Sequence, residues 1–210
     1  ESEGPEDGDA SCAPVATTVH RRHVPVMRTT TLAAFGLVAT LPLAVAAQRT
    51  LVDSLAPLMG KGVSIALASY RAKTISDVRV HLTIDVTSMD SAPGAVDLRF
   101  RRTGNADVLI DFRGRRLGQV SANGTAVASS AFNGSHLRIP ANSLKAGENL
   151  VIASFVADIA PTGASIIRTH DRADDTDYIY TLLVPADANQ LFPCFDQPDL
   201  KVRLSLTLVA

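Results

Sequence analysis

Val78–Thr87 reads VRVHLTIDVT: Val78, Val80, Leu82, Ile84 and Val86 alternate with Arg79, His81, Thr83, Asp85 and Thr87. A period of two over ten residues is the pattern of a long strand with one face on a core and the other toward water. The same period recurs downstream. Val96, Leu98 and Phe100 alternate with Asp97, Arg99 and Arg101, and Asp107–Phe112 is a short apolar run. Gln119–Val127 carries Asn123-Gly124, the strongest short hairpin signal. His136–Ile139, Leu150–Ala157, Asp177–Val184 and Lys201–Val209 complete a set of strands separated by turn residues. Regular spacing of this kind predicts an all-β fold, an antiparallel β-sandwich.

Upstream of Ile75 the period changes. Leu51, Leu55, Leu58 and Met59 fall at helical spacing but are interrupted by Pro57 and Gly60-Lys61-Gly62. A further helical turn or two is expected at Ser64–Arg71. Residues 48–73 are therefore a helical lead-in, and residues 74–210 the β domain.

The N-terminal portion has the pattern of a targeting segment. A basic cluster (Arg21, Arg22, His23) and Met27-Arg28 precede an uncharged run that ends Ala44-Val45-Ala46-Ala47. A basic flank, a short apolar centre and an A-x-A end describe a secretory signal peptide over residues 27–47. The run is short for a membrane span and contains Pro42, which argues against an uncleaved anchor or a buried helix. Met27 is then the expected start, residues 1–26 an upstream extension, and the product secreted or periplasmic.

Of 210 residues, 46% are hydrophobic and 20% charged, enough for a packed core. The net charge of −1 gives no electrostatic case for nucleic acid. With Cys12 removed together with the signal, Cys194 is left alone, so no intrachain disulfide is expected. No P-loop, G-x-S-x-G or H-E-x-x-H is present, and His20, His23, His81, His136 and His170 show no ligand spacing. Asp171, Asp174, Asp175 and Asp177 lack the spacing of a calcium loop and read as a solvated loop. The sequons at Asn123 and Asn133 are better explained by the Asn-Gly turns they make. Cys194, between Pro193 and Phe195, reads as a buried structural thiol.

Phe192–Lys201, FPCFDQPDLK, is not generic loop chemistry. Pro193 and Pro198 fix φ and remove two donors, so the stretch is rigid and cannot be a central strand. Asp196 and Asp199 flank Pro198 and can cap a short turn. Together with Tyr178-Ile-Tyr-Thr, Pro185-Ala-Asp-Ala and Tyr70–Arg79, the stretch resembles the N-terminal domain of the aminopeptidase N family of zinc metallopeptidases. The resemblance covers residues 62–210. It implies a saddle-shaped β domain that walls the substrate cleft of a following zinc-bearing catalytic domain. That domain's H-E-x-x-H is absent from this chain, so the chain alone is expected to be inactive, with zinc and peptide substrate belonging to the longer protein.

By that resemblance Tyr178, Tyr180, Leu182 and Val184 line the wall, one strand face by the period of two. Phe192, Pro193, Asp196, Gln197, Pro198 and Asp199 support it. Relatives carry Gln and Glu where this chain has Leu182 and Val184, and the Glu helps bind the substrate's α-amino group. Such a contact is worth about 1.5–3 kcal/mol, and a valine cannot supply it. The competing readings are a free-standing β-sandwich that binds a protein or glycan, and a non-catalytic scaffold.

Overall fold

The computed structural model describes residues 55–210. The expected signal segment and upstream extension lie outside these residues. A 3-10 turn, Ala56–Leu58, has Pro57 at its start, where a missing N–H costs nothing. Helix α1 follows, Ile65–Thr74, and Ser64 caps it by accepting the Leu67 N–H at 3.1 Å. Only Leu67 and Arg71, one turn apart, are buried on α1.

The strands are β1 (Ile75–Asp85), β2 (Ser91–Arg102), β3 (Val108–Asp111), β4 (Arg116–Ala122), β5 (Thr125–Ala126), β6 (His136–Ile139), β7 (Gly147–Ala160), β8 (Ile166–Asp171), β9 (Thr176–Thr181) and β10 (Val202–Val209). A short helix, α2 (Ala188–Leu191), precedes the FPCFDQPDLK stretch. The large sheet runs β10-β1-β2-β7-β4-β5, with β8 and β9 attached to the end of β7. A second, two-stranded sheet pairs β3 with β6. Its Val108, Ile110, Leu137 and Ile139 share one buried core with Val80, Leu98, Val151 and Ala153 of the large sheet. The arrangement is sandwich-like, as the alternation predicts.

The expected alternation of β1 holds from Val78 onward, but Ile75 and Val78, three apart, both face the core. A bulge between Ser76 and Arg79, with Asp77 at φ 50°, absorbs the extra residue. Asn123 and Gly124 take φ of 49° and 84° in the β4–β5 hairpin, the left-handed pair that a two-residue turn requires. The Asn123 amide is fully engaged: it donates to Ser143 O and Asn149 Oδ1 at 2.9 Å and accepts the Leu150 N–H. The turn reading of that sequon accounts for the residue.

Three strand expectations need correction. The sheet is not purely antiparallel, because β1 pairs with β10, and β7 with β8, in parallel. Parallel neighbours need a long crossover, and nearly the whole domain lies between β1 and β10. Strand β8 was not expected, because Ile166-Ile167 do not alternate; its hairpin with β9 turns through the Asp171–Thr176 stretch read as a loop. Strand β9 ends at Thr181, three residues short of the expected Val184, and a turn covers residues 184–187.

Candidate functional site

The FPCFDQPDLK stretch lies deep in the molecule at its start and at the surface at its end. Phe192, Cys194, Phe195 and Gln197 are buried, while Pro198 and Asp199 are exposed. Cys194 forms a two-bond antiparallel bridge with Asp111, an isolated sheet-like pairing between the two prolines. The Phe195 ring stands edge-on to Phe100 at 5.3 Å, and the Arg71 guanidinium lies over it at 5.5 Å. Gln197 donates from Nε2 to Ala68 O on α1. Asp196 caps differently from expectation: its Oδ2 accepts Asn189 N–H and Nδ2–H on α2 rather than closing the turn at Pro198. Burial pushes the Cys194 thiol well up, so it stays protonated and inert, as the sequence suggested.

The anchor of this stretch is a buried ionic cluster. Arg71 on α1 and Asp111 on β3 form a bidentate pair at 2.6 and 2.7 Å, with side chains 1% and 2% exposed. Arg71 also donates to Leu109 O. His136 on β6 places Nδ1 2.8 Å from Asp111 Oδ1. The Asp196 N–H donates to Asp111 Oδ2 at 3.0 Å. Asp111 therefore receives four hydrogen bonds, the full capacity of a carboxylate. Burial pushes its pKa up, but the bonds from His136 and Arg71 and the Arg71 charge outweigh burial and hold it below the ordinary carboxylate value.

Sequence reasoning missed this cluster, though signals existed. Asp111 interrupts the apolar run Val108–Phe112, and Arg71 follows Leu67 by four residues on the buried stripe of α1. A charge at a core position requires a partner. What sequence alone could not supply was the pairing across 40 and 25 residues.

The expected wall residues are all on the surface. Tyr178, Tyr180, Leu182 and Val184 are 48%, 50%, 54% and 74% exposed. Tyr178 donates its hydroxyl to Asp174. Since β9 stops at Thr181, only the two tyrosines share a strand face; Leu182 and Val184 continue outward beyond it while Leu183 packs on the core. A cleft of about 380 Å³ opens between the β1–β2 face (Val78, Val80, Leu98) and the segment from Pro185 to Val202. Among the described residues no group of three or more His, Cys, Asp or Glu could hold a metal ion.

Strand β10 extends the sheet's core-facing rows beyond their cover. In one row, Leu204 stands beside Val80, Leu98, Val151 and Ala122. Leu204 is 54% exposed, whereas the other four are at most 4% exposed. Leu206 heads a parallel row through Leu82, Val96 and Ala153 with the same contrast.

No family model matches the chain. Aminopeptidase N of Streptomyces lividans is 34% identical to it over 110 residues, 51% of this chain and 12% of that protein. Yeast LTA4 hydrolase in complex with bestatin has a similar fold, with TM-score 0.54 and 18% identity over 65% of this chain and 23% of that one. Legionella pneumophila aminopeptidase A, in complex with aspartic acid, matches with TM-score 0.51 and 13% identity over 65% of this chain and 16% of that one. The resemblance carried by FPCFDQPDLK is thus borne out in sequence and in fold. The chain spans 12% of the curated relative and under a quarter of these two solved chains.

Proposed function

We propose that this chain is the N-terminal, non-catalytic domain of a secreted or periplasmic zinc metallo-aminopeptidase-like protein. It walls one side of a substrate cleft whose chemistry belongs to a following catalytic domain. Zinc and the reacting groups lie in that domain, and this chain contributes shape and a rigid support. The observation that carries the reading is the pair of apolar rows at β10, which have the composition of a core and no cover among the described residues. Large exposed apolar surface marks a mating face. The buried anchoring of Phe192–Gln197 supports it, since a wall must hold its position when it meets a substrate. The secretory part rests on the signal pattern of residues 27–47 alone, and N-terminal sequencing of the exported product tests it.

At the substrate face, Leu182 and Val184 present apolar side chains to the α-amino end of a peptide. This favours a parent enzyme that reads the amine from its catalytic domain or prefers a different substrate class. The test begins with the coding sequence downstream of Ala210; an H-E-x-x-H there is expected. In the longer protein, Val184→Glu is expected to raise kcat/KM for substrates with a free α-amine over N-blocked ones by about tenfold, the equivalent of one charge-assisted contact. Unchanged discrimination refutes the assignment of Val184 to that wall. A stop codon with a soluble monomer refutes the domain reading and favours a stand-alone binding module.

A further inference from the structure

His136 is 1% exposed and has acceptors on both ring nitrogens. Nδ1 meets the Asp111 carboxylate at 2.8 Å, and Nε2 meets Gly60 O at 2.6 Å and Gly62 O at 3.1 Å. A neutral imidazole has one N–H, so in either tautomer one of these contacts would set a lone pair against an oxygen. Only the imidazolium satisfies both sides. Its three acceptor residues belong to two different parts of the fold: Asp111 is the hub of the buried cluster, and Gly60 and Gly62 belong to the loop that leads into α1.

We infer that the His136 imidazolium is a proton-operated latch: while the ring holds two protons it ties the 60–62 loop to the buried cluster, and when it loses one the loop is released.

The charges around the ring are compatible with this. Helix α1 contributes Arg71, whose guanidinium shares Asp111 Oδ1 with the ring. Strand β3 contributes Asp111 itself. The 192–197 segment contributes Asp196, bonded through its N–H to Asp111, and the protonated Cys194 thiol. On β6, Arg138 is paired with Asp107. The loop carries Lys61, which is exposed and points its charge toward water. Two cations, Arg71 and His136, thus share the Asp111 carboxylate, while the Asp196 carboxylate is turned to Asn189 on α2. Burial opposes the charged ring, but the hydrogen bond and charge of Asp111 and the bond to Gly60 O outweigh burial and the Arg71 repulsion. The His136 pKa is accordingly raised.

The sign follows. A histidine whose pKa is higher in the closed form supports that form fully below its ordinary value, near 6.5, and loses the effect as pH rises through the raised value. Between these two values, opening of the loop is expected to rise by about tenfold per pH unit. Lys61 provides the readout, because it sits between the two glycines that the ring holds. Trypsin cleavage of the full chain after Lys61 is compared with cleavage after Arg172, an exposed residue in the β8–β9 turn. The ratio is expected to climb as pH rises above about 6.5, the ordinary histidine value, and to level off once pH has passed the raised value. In His136→Gln, which cannot be protonated, the ratio is expected to start high and stay flat. NMR titration of the wild-type His136 ring, which needs no variant, is expected to show imidazolium persisting above the ordinary histidine range. A flat wild-type ratio, the same slope in His136→Gln, or a ring that titrates at or below about 6.5 overturns the latch.

Discussion

Two neighbouring apolar stretches of this chain have opposite fates. Phe192–Gln197 is buried and tied to α1, α2 and β3 through side chain and backbone. Val202–Val209, five residues later, is exposed along its whole length and, among the described residues, is paired on only one edge. By composition the second is the more core-like, because its four inward positions are Val202, Leu204, Leu206 and Leu208. Periodicity states which residues share a face; it does not state whether another layer reaches that face. The first stretch carries the cover with it, and the second lies where the cover stops.

The contrast is broken most severely at Asp111. Asp111→Ala leaves the Arg71 guanidinium buried without its carboxylate and removes the acceptor of the Asp196 N–H. Loss of one partner of a buried pair costs about 3–5 kcal/mol. Chemical denaturation is expected to show that loss, with the 192–197 segment the first to become accessible to protease. Acid reaches the same hub. Because the Asp111 pKa is lowered in the folded protein, its contribution is complete above the ordinary carboxylate value, near 3.9, and is lost as pH falls through the lower folded value. Acid unfolding of wild type is therefore expected to be steeper than that of Asp111→Asn, measured by circular dichroism below about pH 4.

A gentler comparison uses one hydrophobic residue from each stretch. Phe195→Leu keeps most of the volume but removes the edge-on contact with Phe100 and the face under Arg71. These are worth roughly 1–2 kcal/mol together. Leu206→Ala also removes three carbons, but from a side chain that is 56% exposed. It is expected to cost no more than about 0.5 kcal/mol in this chain. If Leu206→Ala proved as costly as Phe195→Leu in urea denaturation, β10 would be a covered strand and the mating-face reading would fail.

How much was legible in the sequence follows from the same distinction. The alternation from Val78 to Val86 located β1, and Asn123-Gly124 located a hairpin, because strand period and turn chemistry are local. The prolines of FPCFDQPDLK correctly excluded a central strand. The parallel pairing of β10 with β1 was not legible, since it depends on where a long connection returns. Strand β8 was hidden because its two isoleucines are adjacent and its polar end runs into the aspartate-rich turn. The buried cluster was partly legible: Asp111 in an apolar run is an anomaly by itself, yet His136 was one of five scattered histidines until the fold brought it to Asp111. The face of Tyr178 and Tyr180 was readable, whereas its extension to Leu182 and Val184 failed as a strand because pairing with β8 ends at Thr181.

A change in stability no larger per site than that of Leu206→Ala tests the largest claim about surface. Leu204→Lys and Leu206→Lys together place two charges on the uncovered rows. Each site is about half exposed and already solvated, so the folded chain is expected to lose no more than about 0.5 kcal/mol per site. Association should respond instead. An exposed edge strand of eight residues without proline and with apolar inward positions is a template for pairing with other chains, and lysine on such a strand is a natural way to block it. Light scattering of the isolated chain is expected to show less self-association in the double variant, at unchanged thermal stability. If the proposed following domain docks on β10 in a longer protein, the same two charges would be buried against it, where an unpaired charge costs several kcal/mol. The pair of lysines would then be stabilising to handling in one context and damaging to the fold in the other. Equal tolerance in both contexts would mean that nothing docks on β10, and the contrast between the two stretches would be a property of the surface alone.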